Sequence, residues 1–116
     1  MENRILVIED ESLIAMLLED LLPEMGFTVE STVGTVKDAL ELLEQRPIDL
    51  AVVDVNLGGE SSFPVADELQ RRGIPFLFTT GYGQMGLPEP YSALPVLQKP
   101  FRKKDLQAAL QALQAR

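Results

Sequence analysis

Asp54 closes the apolar run in LAVVDVNLGG, residues 50–59, and places a charge where its neighbours are aliphatic. A buried carboxylate without a partner is costly, so such a residue is either a strand-end turn former or a charge placed for chemistry. Other polar residues stand at the ends of the other apolar runs: Glu9 and Asp10 after RILVI, Thr79 and Thr80 closing IPFLFTT, and Lys99 after a short run near 94–97. Together they offer three acids, a hydroxyl, an ammonium and a backbone carbonyl from the turn past Asp54. Such a set suits Mg²⁺, with Mn²⁺ as a substitute, because the ion takes few protein oxygens and keeps places for water and a phosphate oxygen. Phosphoryl transfer needs in-line positioning and neutralised equatorial oxygens. The metal, Lys99 and Thr80 would supply these while the Asp54 carboxylate attacks, and a carboxylate needs no base to remove a proton.

Composition restricts the alternatives. The 116 residues, 46% hydrophobic, suffice for one domain with a core, and a single domain spanning 1–116 is expected. No Cys and no His are present, which excludes disulfides, thiolate nucleophiles, imidazole catalysis and the usual transition-metal sites. A formal charge of -8 argues against a nucleic-acid surface. The opening MENRILVIEDE is acidic where a secretory signal needs a longer apolar stretch, so a soluble cytoplasmic protein without membrane contact is expected.

The elements that must position these groups follow from periodicity. Residues 4–8 read as a strand, and SLIAMLLEDLLPEMG as an amphipathic helix with Ser12 as N-cap and Pro23 and Gly26 at its end. FTVES, 27–31, is a second strand, residues 34–45 a second helix, and IDLAVVD, 48–54, a third strand whose near-continuous apolar run suits the centre of a parallel sheet. SSFPVADELQRRG is a helix with Pro64 in its first turn, IPFLFTT a fourth strand, 94–97 a fifth, and RKKDLQAALQALQAR the last helix. The segment GYGQMGLPEPYSALP is rich in Gly and Pro, so a fourth helix before the fifth strand should be short or irregular, about one turn around Gln84 to Leu87. Repeated βα units with short connections predict a doubly wound α/β sheet. Ligands of such sheets bind beyond the carboxyl ends of the strands, where every residue singled out above falls.

With these residues in view, the chain resembles a response regulator receiver domain over nearly its whole length. The resemblance rests on ILVIEDE with Glu9 and Asp10, VVDVNLGG with Asp54 and Asn56, FTTG with Thr80 before Gly81, and QKPF with Lys99, Pro100 and Phe101. It implies a flavodoxin-like (βα)₅ fold of strand order 2-1-3-4-5, with Asp54 as phosphoacceptor. It further implies Mg²⁺ held by Glu9, Asp10, Asp54 and the carbonyl of Asn56, Thr80 as switch hydroxyl, and a cis Lys99-Pro100 bond. The implied phosphodonor is a histidine kinase or a histidine phosphotransfer protein. LFTTGYG, with the segment running to PVLQKPF, is similar to a single-domain group of alphaproteobacterial type, whose members work with kinases of HWE and related classes. One departure stands out. Val96 occupies the position, three before the lysine, where receivers carry an aromatic switch residue, which makes Tyr82 and Tyr91 candidate substitutes.

Each residue also has a plainer reading. Asp54 alone could be an Asx-turn residue, Lys99 a surface lysine, and Glu9, Asp10 and Glu11 acids favouring a helix dipole. Of Thr79 and Thr80 only one should reach the pocket, and Thr80 is chosen, leaving Thr79 as an ordinary strand residue. Gly81, Gly83 and Gly86 spell GxGxxG, but outside the strand-to-helix context of a dinucleotide site. Phe63, Phe76, Phe78, Met16 and Met25 are expected as core or helix-packing residues, and Phe101 under the last helix. The functional expectation is a phosphoacceptor switch, monomer or weak dimer, that catalyses its own aspartyl phosphorylation and slow dephosphorylation. It would signal by protein contact or onward relay and would not turn over free metabolites. The alternative is a receiver-like interaction module indifferent to phosphate.

Overall fold

The computed structural model describes residues 3–81 and 96–114. In chain order the elements are β1 (Arg4–Ile8), α1 (Ser12–Glu24), β2 (Thr28–Val33), α2 (Val36–Gln45), β3 (Leu50–Asp54), β4 (Asn56–Leu57), β5 (Glu60–Ser61), α3 (Phe63–Arg71), β6 (Phe76–Thr80), β7 (Val96–Gln98) and α4 (Lys103–Gln114). Five strands form one parallel sheet in the order β2-β1-β3-β6-β7, which is the 2-1-3-4-5 order expected once the small β4–β5 hairpin is set aside. Among the described residues no helix is long and apolar enough to cross a membrane. The Gln84 to Leu87 turn, Tyr82, Gly83, Gly86 and Tyr91 lie outside the described residues.

Side-chain alternation sends the two faces of the sheet into separate cores. Leu6, Ile8, Ala51, Val53, Phe76 and Phe78 pack against Ala39 and Leu43 of α2 and Val65 and Leu69 of α3. Ile5, Val7, Leu50, Val52, Leu77 and Leu97 pack against Leu18 and Leu22 of α1 and Leu106, Leu110 and Leu113 of α4. Burying an aliphatic side chain contributes about 1.5–3 kcal/mol. A one-residue slip of β3 would exchange Val52 with Val53 and carry Asp54 to the α2/α3 face, so burial of the strand fixes where its last residue points. Phe101 joins the α4 core as expected. Met16 does not enter a core: it is 56% exposed on the outer side of α1.

Several boundaries differ from the periodicity reading. Ser12 is the first residue of α1, and Glu11 takes the N-cap position without a side-chain cap. β2 runs on to Val33 because Ile8 pairs with it and the Glu9 N–H donates to its carbonyl at 2.9 Å. The β4–β5 hairpin was not anticipated. Its two-residue loop places Gly58 at φ +60° and Gly59 at φ +89°, left-handed conformations that exclude ordinary side chains and suit a tight hairpin. A Cβ at Gly58 would touch Asp10 Oδ2 at 3.5 Å, and one at Gly59 would meet nothing within 4 Å. The positive φ of both residues requires glycine here, and both line the pocket described below.

Candidate phosphoacceptor site

The register of the sheet assembles the site. β1 and β3 are hydrogen-bonded neighbours, so Glu9, immediately after β1, and Asp54, the last residue of β3, meet at one edge. Opposite Asp54 in the ladder stands Thr79, paired in turn with Leu97. The Lys99 N–H donates to the Thr80 carbonyl at 2.8 Å, which extends the β6–β7 pairing and brings the lysine to the same edge. The Lys99-Pro100 bond is cis, as the resemblance implied.

Lys99 Nζ lies 2.9 Å from Glu9 Oε1, 2.9 Å from Glu11 Oε1 and 3.0 Å from Asp54 Oδ2. The contacts to Glu11 and Asp54 are hydrogen bonds. The contact to Glu9 is equally short but not aligned as one, so Glu9 Oε1 is buried in ionic contact without a directional partner. Glu9 Oε2 accepts the Glu11 N–H at 3.0 Å, and Asp54 Oδ1 the Asn56 N–H at 3.3 Å. Three carboxylates thus share one ammonium. Burial pushes the Glu9 carboxyl up to about 7, against the opposing pull of Lys99 and the Glu11 N–H. For Lys99 burial disfavours the charge, yet the close contact with Glu9 and the hydrogen bonds to Glu11 and Asp54 outweigh it and raise its pKa above the ordinary lysine value. The two directions belong together: the ammonium stays charged, and the buried Glu9 keeps a proton to higher pH than an ordinary glutamate.

Above these groups opens a pocket of about 280 Å³ lined by Asp10, Glu11, Asp54, Asn56, Gly81 and Lys99 among others. Carboxylate oxygens of Glu9, Glu11 and Asp54 lie within 4.8 Å of one another. Asp10 lines the pocket without being part of that trio. An orphaned buried carboxylate oxygen beside an excess of acids fits a hard divalent cation. Asn56, expected to act through its carbonyl, also uses its side chain: Oδ1 accepts the Gly59 N–H at 2.9 Å and closes the hairpin.

The threonines need a closer account. They occupy opposite faces of β6, but the face carrying Asp54 and Leu97 is that of Thr79. Thr79 Oγ1 is buried with no hydrogen-bond partner among the described residues. Thr80 lies in register with Gln98, two residues beyond Phe78, whose partner Val96 is 46% exposed, so Thr80 and Val96 share the α2/α3 side of the sheet. Glu11 is the site residue that sequence reasoning missed. A Glu directly after the acidic pair was the available signal, and it was assigned to the helix dipole.

A sequence profile of the response regulator receiver domain matches residues 5–111. The chain belongs to the response regulator receiver family. The receiver is 47% identical to SdrG from Sphingomonas melonis Fr1, whose solution structure covers 97% of each chain with a TM-score of 0.88. A second solution structure, described as the BeF₃-activated conformation of SdrG, aligns with a TM-score of 0.82 over 97% of this chain and 98% of that one, at 47% identity. Transcriptional regulatory protein PdtaR of Mycobacterium tuberculosis is 33% identical over 113 residues, 94% of this chain and 55% of that protein. The receiver spans about half the length of the curated relatives it matches. The match to SdrG agrees with the likeness to the alphaproteobacterial-type group drawn from the motifs around Thr80 and Lys99.

Proposed function

We propose that this receiver is a phosphoacceptor switch in which Asp54 takes a phosphoryl group from a histidine kinase or a histidine phosphotransfer protein. The observation that carries this reading is the Lys99 ammonium 3.0 Å from a buried Asp54 carboxylate at the base of an open polar pocket. In the transfer an Asp54 oxygen forms the bond to phosphorus. The donor's bond to phosphorus breaks, and the electron pair leaves with the donor. Lys99 offsets the charge on the equatorial oxygens, and the buried base of the pocket keeps Asp54 in place. Glu9, Asp10, Asp54 and the Asn56 carbonyl would hold Mg²⁺. When bound, that ion supplies charge neutralisation for the phosphoryl oxygens. Thr80, which ends β6 on the α2/α3 side, acts as the switch hydroxyl by shifting toward the phosphorylated Asp54, with Gly81, Val96, Pro100 and Phe101 bordering the surface that changes. The donor kinase is of the HWE type or a related class, and the receiver works in the cytoplasm, passing its signal by protein contact or relay.

One observation favours the rival reading of an interaction module indifferent to phosphate: Val96, at the aromatic switch position, is a half-exposed aliphatic side chain. Labelling by a small acyl phosphate separates the two. The phosphoacceptor reading expects Mg²⁺-dependent labelling that is lost in Asp54→Ala and retained in Thr80→Ala. A wild-type protein that takes no label under these conditions sinks it.

A further inference from the structure

We propose that Glu11 is a releasable counter-ion of Lys99, a positioning residue that sets how readily the ammonium passes to the incoming phosphoryl group. The inference rests on Asp54 being the phosphoacceptor. Glu11 occupies the N-cap of α1 in an extended conformation, φ −83° and ψ 115°, yet its carboxylate caps no helix N–H. An acid at this position ordinarily serves the exposed N–H groups or the helix dipole. Here it reaches Lys99 instead.

Three carboxylate oxygens crowd the Lys99 ammonium within 3.0 Å, those of Glu11 and Asp54 as hydrogen bonds and that of Glu9 in ionic contact. A phosphoryl oxygen entering the pocket competes with them for the ammonium. The side chains of Glu9 and Asp54 are 1% and 5% exposed, so abandoning either strands a charge away from water. Glu11 is 61% exposed, and water replaces the ammonium as it swings out. The backbone of residue 11 is held by its N–H on Glu9 Oε2 and its carbonyl on the Ala15 N–H, so release requires only side-chain rotation. During transfer Lys99 exchanges Glu11 Oε1 for a phosphoryl oxygen and keeps all its protons, while the new Asp54 O–P bond replaces the donor's bond to phosphorus. The closed Glu11–Lys99 pair stabilises the resting state and so raises the barrier to phosphorylation.

Reach distinguishes this role from a general effect of charge. Glu11→Gln removes the charge, and Glu11→Asp keeps it but shortens the arm by one methylene. The test measures the maximal labelling rate with a small acyl phosphate at saturating Mg²⁺, together with half-saturation for donor and ion. Both variants are expected to fold, since the side chain is exposed, and to label roughly two- to fivefold faster, the scale of an exposed ion pair, with both half-saturation values unchanged. In a Lys99→Met background the Glu11 substitutions should change nothing. Acceleration in Glu11→Gln with a wild-type rate in Glu11→Asp overturns the proposal in favour of simple charge repulsion. Slower labelling with a raised Mg²⁺ half-saturation overturns it in favour of Glu11 as a metal ligand. A labelled wild type with unaltered variants overturns this proposal alone, whereas an unlabelled wild type overturns it together with the phosphoacceptor reading.

Discussion

Two ionic clusters in this receiver combine carboxylates with cationic side chains to opposite ends. Between α2 and α3, Glu68 accepts hydrogen bonds from both Arg71 and Arg72, and Arg72 also donates to Glu44 Oε1 at 2.7 Å and to the Leu43 carbonyl at 3.0 Å. Two acids meet two guanidinium groups at the surface. Hydrogen bonds from Arg71 first and Arg72 second hold the Glu68 carboxyl down to about 2. At the sheet edge three acids meet one ammonium, and burial lifts the Glu9 carboxyl to about 7. A balanced surface cluster ties helices together and asks for nothing more. An unbalanced buried one leaves negative charge to be met by a cation, and the domain keeps that arrangement where the chemistry occurs.

The largest test of this contrast is Glu9→Gln in metal-free protein. Because the folded-state pKa is raised, the native state binds more protons than the unfolded chain between about 4.5 and 7, and wild-type stability falls as pH rises through that window. Glu9→Gln should therefore raise stability at pH about 8 by about 1–2 kcal/mol in urea melts, with the gain shrinking as pH falls toward about 4.5. A gain independent of pH would break the comparison, since the cost would then lie in packing and not in charge.

A smaller effect is expected one strand away. Thr79 Oγ1 is buried without a partner among the described residues, so the near-isosteric Thr79→Val should stabilise the protein by about 1 kcal/mol in the same melts. Destabilisation would show that the hydroxyl has a partner at the edge of the acid cluster. The smallest effect belongs to the balanced cluster. Glu68→Gln should leave phosphate labelling unchanged and lower the urea midpoint slightly near neutral pH. That loss should fade in about 1 M salt, and as pH falls toward the depressed pKa of about 2.

How much of this was legible depends on the range of the interactions involved. The βα alternation and strand order were readable because apolar periodicity reports burial face directly, and Leu50 to Val53 could hardly be anything but a central strand. The hairpin around Gly58 and Gly59 was not anticipated. A two-glycine loop flanked by residues able to pair is a hairpin signal, and the short strands around it hid this. Met16 was expected as a core or helix-packing residue because its residue type is usually buried, yet its position on α1 faces outward.

The sequence by itself determined the inventory of the site, since acids, threonines and a lysine at strand ends are a local property of an α/β chain, and the sheet gathers those ends at one edge. Tertiary structure decided the partnerships. Lys99 joins Glu11 across 88 positions of chain, and Thr79 rather than Thr80 faces the side of Asp54. Both outcomes depend on strand register and on which face each side chain leaves. Register is set by the two cores as a whole, so no stretch of sequence contains it alone.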